Sequence, residues 1–200
     1  MKLVLASRNR HKIKEIQAVL NELGLDVTLL SLDDIGYEGE IEETGTTFEE
    51  NAKIKAKASA DMGYYSIADD SGLEVRALGG RPGVYSARYA GEPCNDENNN
   101  DKLLNEMDSV PDGERDASFV SVIAFIDPFK PENSFTVRGE CPGVIIRQRR
   151  GNGGFGYDPL FYLPQLNKTY AEITTDEKNA VSHRGKSIRL FAEKFAEIYK

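Results

Sequence analysis

Leu3-Val4-Leu5-Ala6-Ser7-Arg8-Asn9-Arg10-His11-Lys12 opens the chain, and the fold class follows from how it is read. A run of apolar residues from Leu3 to Ala6 predicts a short buried strand, and the switch to polar side chains at Ser7 predicts a turn. Ile13, Ile16, Val19, Leu20 and Leu23 then recur at helical spacing, with Gly24 placed to cap the helix end. Residues 27–32 read as a second strand. Strand, polar turn, helix and strand make a βαβ opening, which predicts an α/β fold on a mixed sheet.

Working outward, Thr46 or Thr47 is expected to cap a helix reaching about residue 60, with Glu49 and Glu50 at its positive end. A strand at 65–68 would deliver Asp69-Asp70-Ser71-Gly72 at its C-terminal end. The Gly- and Pro-rich residues 79–91 read as loop, and 96–107 as helix. Antiparallel strands are expected at 119–126 and 134–138, joined around Pro128 and Pro131, with 144–146 continuing the sheet. A glycine-rich loop at 151–158 leads into strand 160–162. The chain closes with 176–181 and an amphipathic helix over about 186–199, Ile188, Phe191, Phe195 and Ile198 sharing one face. With no repeats and no linker, the 200 residues are expected to form a single domain.

Composition narrows the function. With 25 Lys+Arg against 33 Asp+Glu, the net charge of −8 opposes non-specific binding to nucleic acid, which needs a basic face. The two cysteines, Cys94 and Cys141, have no metal-type spacing and suggest no disulfide framework, hence a reduced compartment. The apolar start is too short for a signal peptide or a membrane span, so a cytoplasmic protein that does not enter membranes is expected.

Several segments could carry chemistry. Ser7-Arg8-Asn9-Arg10-His11-Lys12, between a strand and a helix, offers backbone N–H groups and a positive helix end to an anion. It lacks the P-loop pattern, so a metal would be held elsewhere. Asp69-Asp70 at a strand end suits Mg²⁺, which takes a few carboxylate oxygens, waters and phosphates. Neighbouring strand residues point to opposite sides, so one carboxylate can face a site while the other supports it. Glu42-Glu43 is a further acidic candidate. Residues 151–156 satisfy G-x-G-x-x-G literally, but no helix pattern follows, so they are read as a flexible loop presenting Phe155 and Asp158 beside a ligand. Lys178 and Arg184 could face one pocket, and both histidines, His11 and His183, lie in polar basic contexts. No His/Cys pair has zinc-ligand spacing.

Six stretches, in order, resemble the inosine triphosphate pyrophosphatase family. They are Ser7-x-Asn9-x-x-Lys12, Thr44-Gly45-x-Thr47-Phe48-x-Glu50-Asn51-Ala52, Asp69-Asp70-Ser71-Gly72, Gly80-x-Pro82-Gly83-x-Tyr85-Ser86-Ala87-Arg88, Gly154-Phe155-Gly156-Tyr157-Asp158-Pro159 and Ser182-His183-Arg184-Gly185. The resemblance implies hydrolysis of non-standard purine nucleoside triphosphates (ITP, dITP, XTP) between the α- and β-phosphates, giving the monophosphate and pyrophosphate. It implies a long mixed β-sheet bridging two lobes with a central substrate cleft, helices on both faces, and a homodimer. Ser7, Arg8, Asn9, Arg10, His11 and Lys12, with Asn51, Lys55 and Ser71, would hold the triphosphate. Asp70 would bind Mg²⁺ or serve as base for the attacking water, with Glu43 or Glu42 completing the metal site. Phe155 would stack on the purine, and Asp158, His183 and Arg184 would read its edge, with Gly156, Tyr157 and Lys178 as further substrate-binding residues. A related enzyme for modified pyrimidine nucleotides and a non-catalytic nucleotide sensor are the alternatives.

Overall fold

The computed structural model describes residues 1–199, the side chains of His11 and Glu15 excepted. The role expected of His11 at the phosphate segment therefore lies outside the described residues. The elements are β1 (Lys2–Leu5), α1 (Arg10–Glu22), β2 (Thr28–Leu30), α2 (Phe48–Ala60), β3 (Ser66–Val75), α3 (Asp96–Glu106), β4 (Asp116–Ile126), β5 (Phe135–Ile145), β6 (Phe161–Leu163), β7 (Lys168–Thr169), α4 (Thr175–Val181) and α5 (His183–Ile198). Seven strands form one sheet in the order β2-β1-β3-β4-β5-β6-β7. β1 pairs in parallel with β2 and β3, whereas β6 is antiparallel to β5 and β7, so the sheet is mixed. The chain groups into two compact units. The first holds residues 1–70 and 121–139 and everything from Arg184 onward; the second holds 71–120 and 140–183.

Strand parity organises the first unit. Leu3, Leu5, Ile67, Ile123 and Phe125 share a core with Ile16 and Leu20 of α1 and with Ile188, Phe191 and Phe195 of α5. Side chains alternate along a strand, so Val4, Ala68, Val122 and Ala124 point the other way, and they too are buried. That second face is the one on which Lys55 of α2 reaches Asp70, which has the parity of Ala68. Besides Phe48 and Asn51, helix α2 buries only small side chains, namely Ala52, Ala56, Ser59 and Ala60, which brings its backbone close. Its start carries the expected cap. The Thr47 side chain accepts from the Glu50 N–H, and Glu50 returns a bond to the Thr47 N–H.

The second unit has its own core, in which Leu73, Val75, Phe119 and Cys141 meet Leu103 and Met107 of α3 and the aromatic rings of Phe161 and Tyr170. Among the described residues, neither Cys94 nor Cys141 is in a disulfide. Among the described residues, no helix is long and apolar enough to cross a membrane.

Four boundaries depart from the sequence reading. β3 does not end at Asp69-Asp70 but runs on to Val75, so the pair lies mid-strand. Asp, Ser and Gly are depleted in strands and read as a stop, yet here basic groups neutralise both carboxylates and Leu73 and Val75 add buried surface beyond them. Residues 134–138 and 144–146 belong to one strand, β5. α5 starts at His183 rather than near residue 186, absorbing a Ser-His-Arg-Gly stretch that reads locally as a turn. The two-residue β7 was not expected.

Candidate active site

Asp69 and Asp70 take opposite faces of β3, and their surroundings differ sharply. Asp69 is buried on the α1/α5 face. Its Oδ2 accepts from Lys12 Nζ at 2.9 Å and lies 3.5 Å from Arg184 Nε. Its Oδ1 accepts from Ser121 Oγ at 2.7 Å, and that hydroxyl is 2.7 Å from Ser187 Oγ on α5. Burial alone would raise the pKa of this carboxyl, but the Lys12 and Arg184 charges and the Lys12 and Ser121 hydrogen bonds outweigh it. Asp69 is held ionised, well below the usual carboxylate range.

Asp70, on the α2 face, accepts from Lys55 Nζ at 2.6 Å, and the same ammonium lies 3.3 Å from Glu43 Oε1. Burial raises the pKa of Asp70. The Lys55 charge opposes that, and the Glu43 and Asp69 charges add to it, leaving it above its ordinary value. One carboxylate is thus saturated by cations and hydroxyls. The other shares a single ammonium with a second acid.

Two acidic oxygens converging on one cationic nitrogen are the donor set that Mg²⁺ accepts when water and phosphate fill its remaining positions. The residues present fit that ion. Among the described residues, no group of three or more His, Cys, Asp or Glu side chains is placed to hold a metal ion by itself. Glu43 makes this contact, and Glu42 is exposed.

A cavity of about 350 Å³ opens beside these groups, with Ser7, Lys12, Glu43, Lys55 and Asp69 on its wall. The expected anion segment is partly committed to the protein itself. Asn9 caps α1, its Oδ1 accepting from the Lys12 N–H at 3.2 Å, and Ser7 Oγ accepts from the Asn9 N–H at 3.1 Å. Arg8 reaches away to Asp33 Oδ1 at 3.0 Å and to the carbonyls of Tyr37 and Gly39 at 3.0 and 2.8 Å, strapping down the segment that leads to Glu43. Arg10 lies 3.4 Å from Asp34 on the surface. Asn51 is fully buried at the start of α2. Its Oδ1 accepts from the Gly45 N–H at 2.8 Å, while its Nδ2 has no partner among the described residues. A side chain at Gly45 would put its Cβ 2.6 Å from that Asn51 oxygen, so glycine is required there. An orphaned buried donor is costly unless an acceptor arrives.

In the second unit the glycine-rich loop, with Asp96 and Arg149, lines a cavity of about 400 Å³. Phe155 is 65% exposed at its edge, and Lys178 Nζ lies 5.1 Å from the ring centroid. Buried Asp158 pairs with Lys178, and its Oδ2 accepts from the Phe155 N–H at 3.0 Å. Gly154 has φ +73°, and a Cβ there would overlap Asp158 Oδ2 at 1.9 Å, so only glycine lets the loop close over this carboxylate.

Other expected site residues are placed differently. Tyr157 is buried, its hydroxyl donating to the Ser86 carbonyl at 2.7 Å, and burial pushes its pKa up. His183 is buried and stacks on Phe119 with ring centroids 4.9 Å apart, against the expectation of a polar setting. Arg184 lies against Asp69, and Lys178 pairs with Asp158. Ser71 is half-buried on β3.

The sequence reading missed Ser121 and Ser187, which have no local signature. It also missed Asp96 and Asn100, which bind Gly156, although Asn98-Asn99-Asn100 inside a helix was a usable signal because asparagine is a poor helix former.

Comparison with known proteins gives one consistent picture. The family model described as Ham1 family matches residues 3–194. The dITP/XTP pyrophosphatase of Geobacter sulfurreducens is 51% identical over 193 residues, 96% of this chain and 95% of that protein. The protein of the same name from Clostridium perfringens is 46% identical, covering 100% of this chain and 99% of its own length. The solved structure of the Staphylococcus aureus Ham1 protein superposes with a TM-score of 0.91 at 41% identity, covering 100% of both chains.

Proposed function

The chain belongs to the Ham1 family, and on that premise we propose that it hydrolyses ITP, dITP and XTP to the nucleoside monophosphate and pyrophosphate. It is a nucleoside-triphosphate pyrophosphatase, a hydrolase that removes non-standard purine nucleotides from the pool. The observation that carries the mechanism is the division of labour across β3, with Asp69 saturated and Asp70 sharing one ammonium with Glu43.

Phosphoryl chemistry needs charge neutralisation and alignment more than covalent catalysis. Asp70 and Glu43 would hold Mg²⁺, which supplies charge neutralisation at the phosphates when bound. Lys12 and Lys55, both on the cavity wall, bring positive charge to the triphosphate. The orphaned Asn51 amide offers a phosphate oxygen the hydrogen bond it otherwise lacks. Asp70 takes a proton from the attacking water. The water oxygen bonds to the α-phosphorus, the bond from that phosphorus to the bridging oxygen breaks, and pyrophosphate leaves.

Base selection is assigned to the second unit. The exposed face of Phe155 suits stacking on a purine. Lys178 beside it is a donor and Asp158 an acceptor, matching a base with a keto oxygen at position 6 and a proton on N1. Adenine presents the opposite pattern, an amino group towards the donor and a bare N1 towards the acceptor, so it gains neither bond, the kind of mismatch that discriminates by large factors.

Incubation with ITP and Mg²⁺ is expected to release pyrophosphate and IMP in equal amounts, with ATP turned over far more slowly. Orthophosphate as the first product, or a preference for modified pyrimidine triphosphates, would overturn the assignment. The same reading extends to a cytoplasmic homodimer. Sedimentation equilibrium at micromolar concentration should then give the mass of two chains, and a single-chain mass would refute it.

A further inference from the structure

Phe155 is 65% exposed, so packing does not fix its ring, and the loop around it has no regular secondary structure. What holds the loop is a pair of side chains on α3 that the reaction does not use. The Gly156 N–H donates to Asp96 Oδ2 at 2.7 Å, and the Gly156 carbonyl accepts from Asn100 Nδ2 at 2.8 Å. Residues 96 and 100 are four apart on one helix and so lie on the same side of it. Asn100 is 1% exposed, and its Nδ2 also donates to the Asp96 carbonyl at 2.9 Å, tying the two anchors together.

Both polar groups of Gly156, the residue that follows Phe155, are thereby held from α3. Gly156 itself has φ +60°, a conformation set by these bonds rather than by a side chain of its own. The Phe155 N–H in turn donates to Asp158 Oδ2, so a shift of the loop moves the ring and the carboxylate beside it together. The turn of α3 between the anchors holds a second loop. Asn99 Oδ1 accepts from the Ala90 N–H at 2.7 Å, and its Nδ2 donates to the Ala87 carbonyl at 2.9 Å. Consecutive asparagines are poor material for a helix interior, and here the amides at 99 and 100 are both spent on neighbouring backbone.

We propose that Asp96 and Asn100 are positioning residues for the purine. By holding the Gly156 backbone from both sides they orient Phe155 and Asp158, and so set base affinity and base selectivity without touching the phosphates. This rests on the reading of Phe155 as the stacking face for the base.

The test is steady-state kinetics of Asn100→Leu and Asp96→Ala with ITP and ATP, together with competitive inhibition by inorganic tripolyphosphate. Leucine keeps the branched shape of the Asn100 side chain and removes its donor. Losing one of these hydrogen bonds should raise KM for ITP about tenfold, while kcat stays within about threefold and the preference for ITP over ATP falls. The inhibition constant for tripolyphosphate, which has no base, should not move. A merely structural role predicts that KM, kcat and the tripolyphosphate constant all worsen along with the folded fraction, and that result would overturn the proposal. Unchanged KM and unchanged preference in Asp96→Ala would do the same, and this variant carries the test if Asn100→Leu does not fold, because the Asp96 side chain is at the surface. A wild type that releases no pyrophosphate from ITP would instead overturn the proposed function, and this inference with it.

Discussion

Asp70→Asn is expected to lower the rate of pyrophosphate release from ITP by roughly 10³-fold, while the folded protein becomes no less stable. The size of the loss follows from the two jobs that one side chain performs. A positioned general base contributes about 10²- to 10⁴-fold, and asparagine can neither accept the proton nor offer a metal the charge of a carboxylate. The stability expectation follows from the sign of the pKa shift. Asp70 is raised above its ordinary value by burial, and the Glu43 and Asp69 charges add to the rise, so the folded state disfavours its ionised form. The stability it contributes is present at low pH and is lost as pH rises through its folded-state pKa. Near neutrality the charge is therefore a cost, accepted for catalysis, and the neutral amide relieves it. Pyrophosphate release and thermal unfolding at pH 7, measured on the same preparation, check both halves. Near-normal turnover would remove Asp70 from the reaction. A large drop in unfolding temperature would show that its bond to Lys55 is structural instead.

Asp69→Ala should behave in the opposite way, losing activity because it loses structure. Removing the carboxylate strands Lys12 and Arg184, whose side chains are 28% and 13% exposed, and leaves Ser121 without its acceptor. Breaking a buried pair from one side costs about 3–5 kcal/mol, and the partial exposure of Lys12 puts this case near about 3. Asp69→Asn is the informative control, since it keeps the shape and an acceptor for Ser121 and removes only the charge. Because the folded-state pKa of Asp69 is depressed, its contribution is fully present above the unfolded carboxyl value near 3.9 and fades as pH falls below it. The stability gap between wild type and Asp69→Asn should accordingly be constant from about pH 8 to pH 5 and narrow below about pH 4. Urea unfolding across that range measures it. A gap that widens on acidification would mean that the Asp69 charge is not what holds Lys12 and Arg184.

The legible and illegible parts of the site differ in kind. Lys12, Lys55, Asp70 and Phe155 could be named from short motifs because their residue types announce the chemistry. Asp69 and Asp70 could be assigned to opposite faces because strand periodicity is local. Arg8 and Arg10 looked like phosphate ligands by composition, yet the structure gives them acceptors of their own in residues 33–39. His183 looked polar in sequence and is buried against Phe119. Local sequence cannot say which of several equivalent cations an acidic or carbonyl partner from far along the chain will capture.

The opening strand, turn and helix from Leu3 to Leu23 were decided by the sequence alone, since apolar spacing and capping act over a few residues. So were the α/β class and the motif order that marks the family. Only tertiary structure decided that β3 runs through its two aspartates, that Ser121 and Ser187 support one of them, and that Asp96 and Asn100 hold the loop of Phe155. Apart from Lys55 and Asp70, which are 15 residues apart, these depend on pairing groups 50 or more residues apart, and the benefit of burying a charge or fixing a loop exists only once the partner has been brought there by the packing of the rest of the chain.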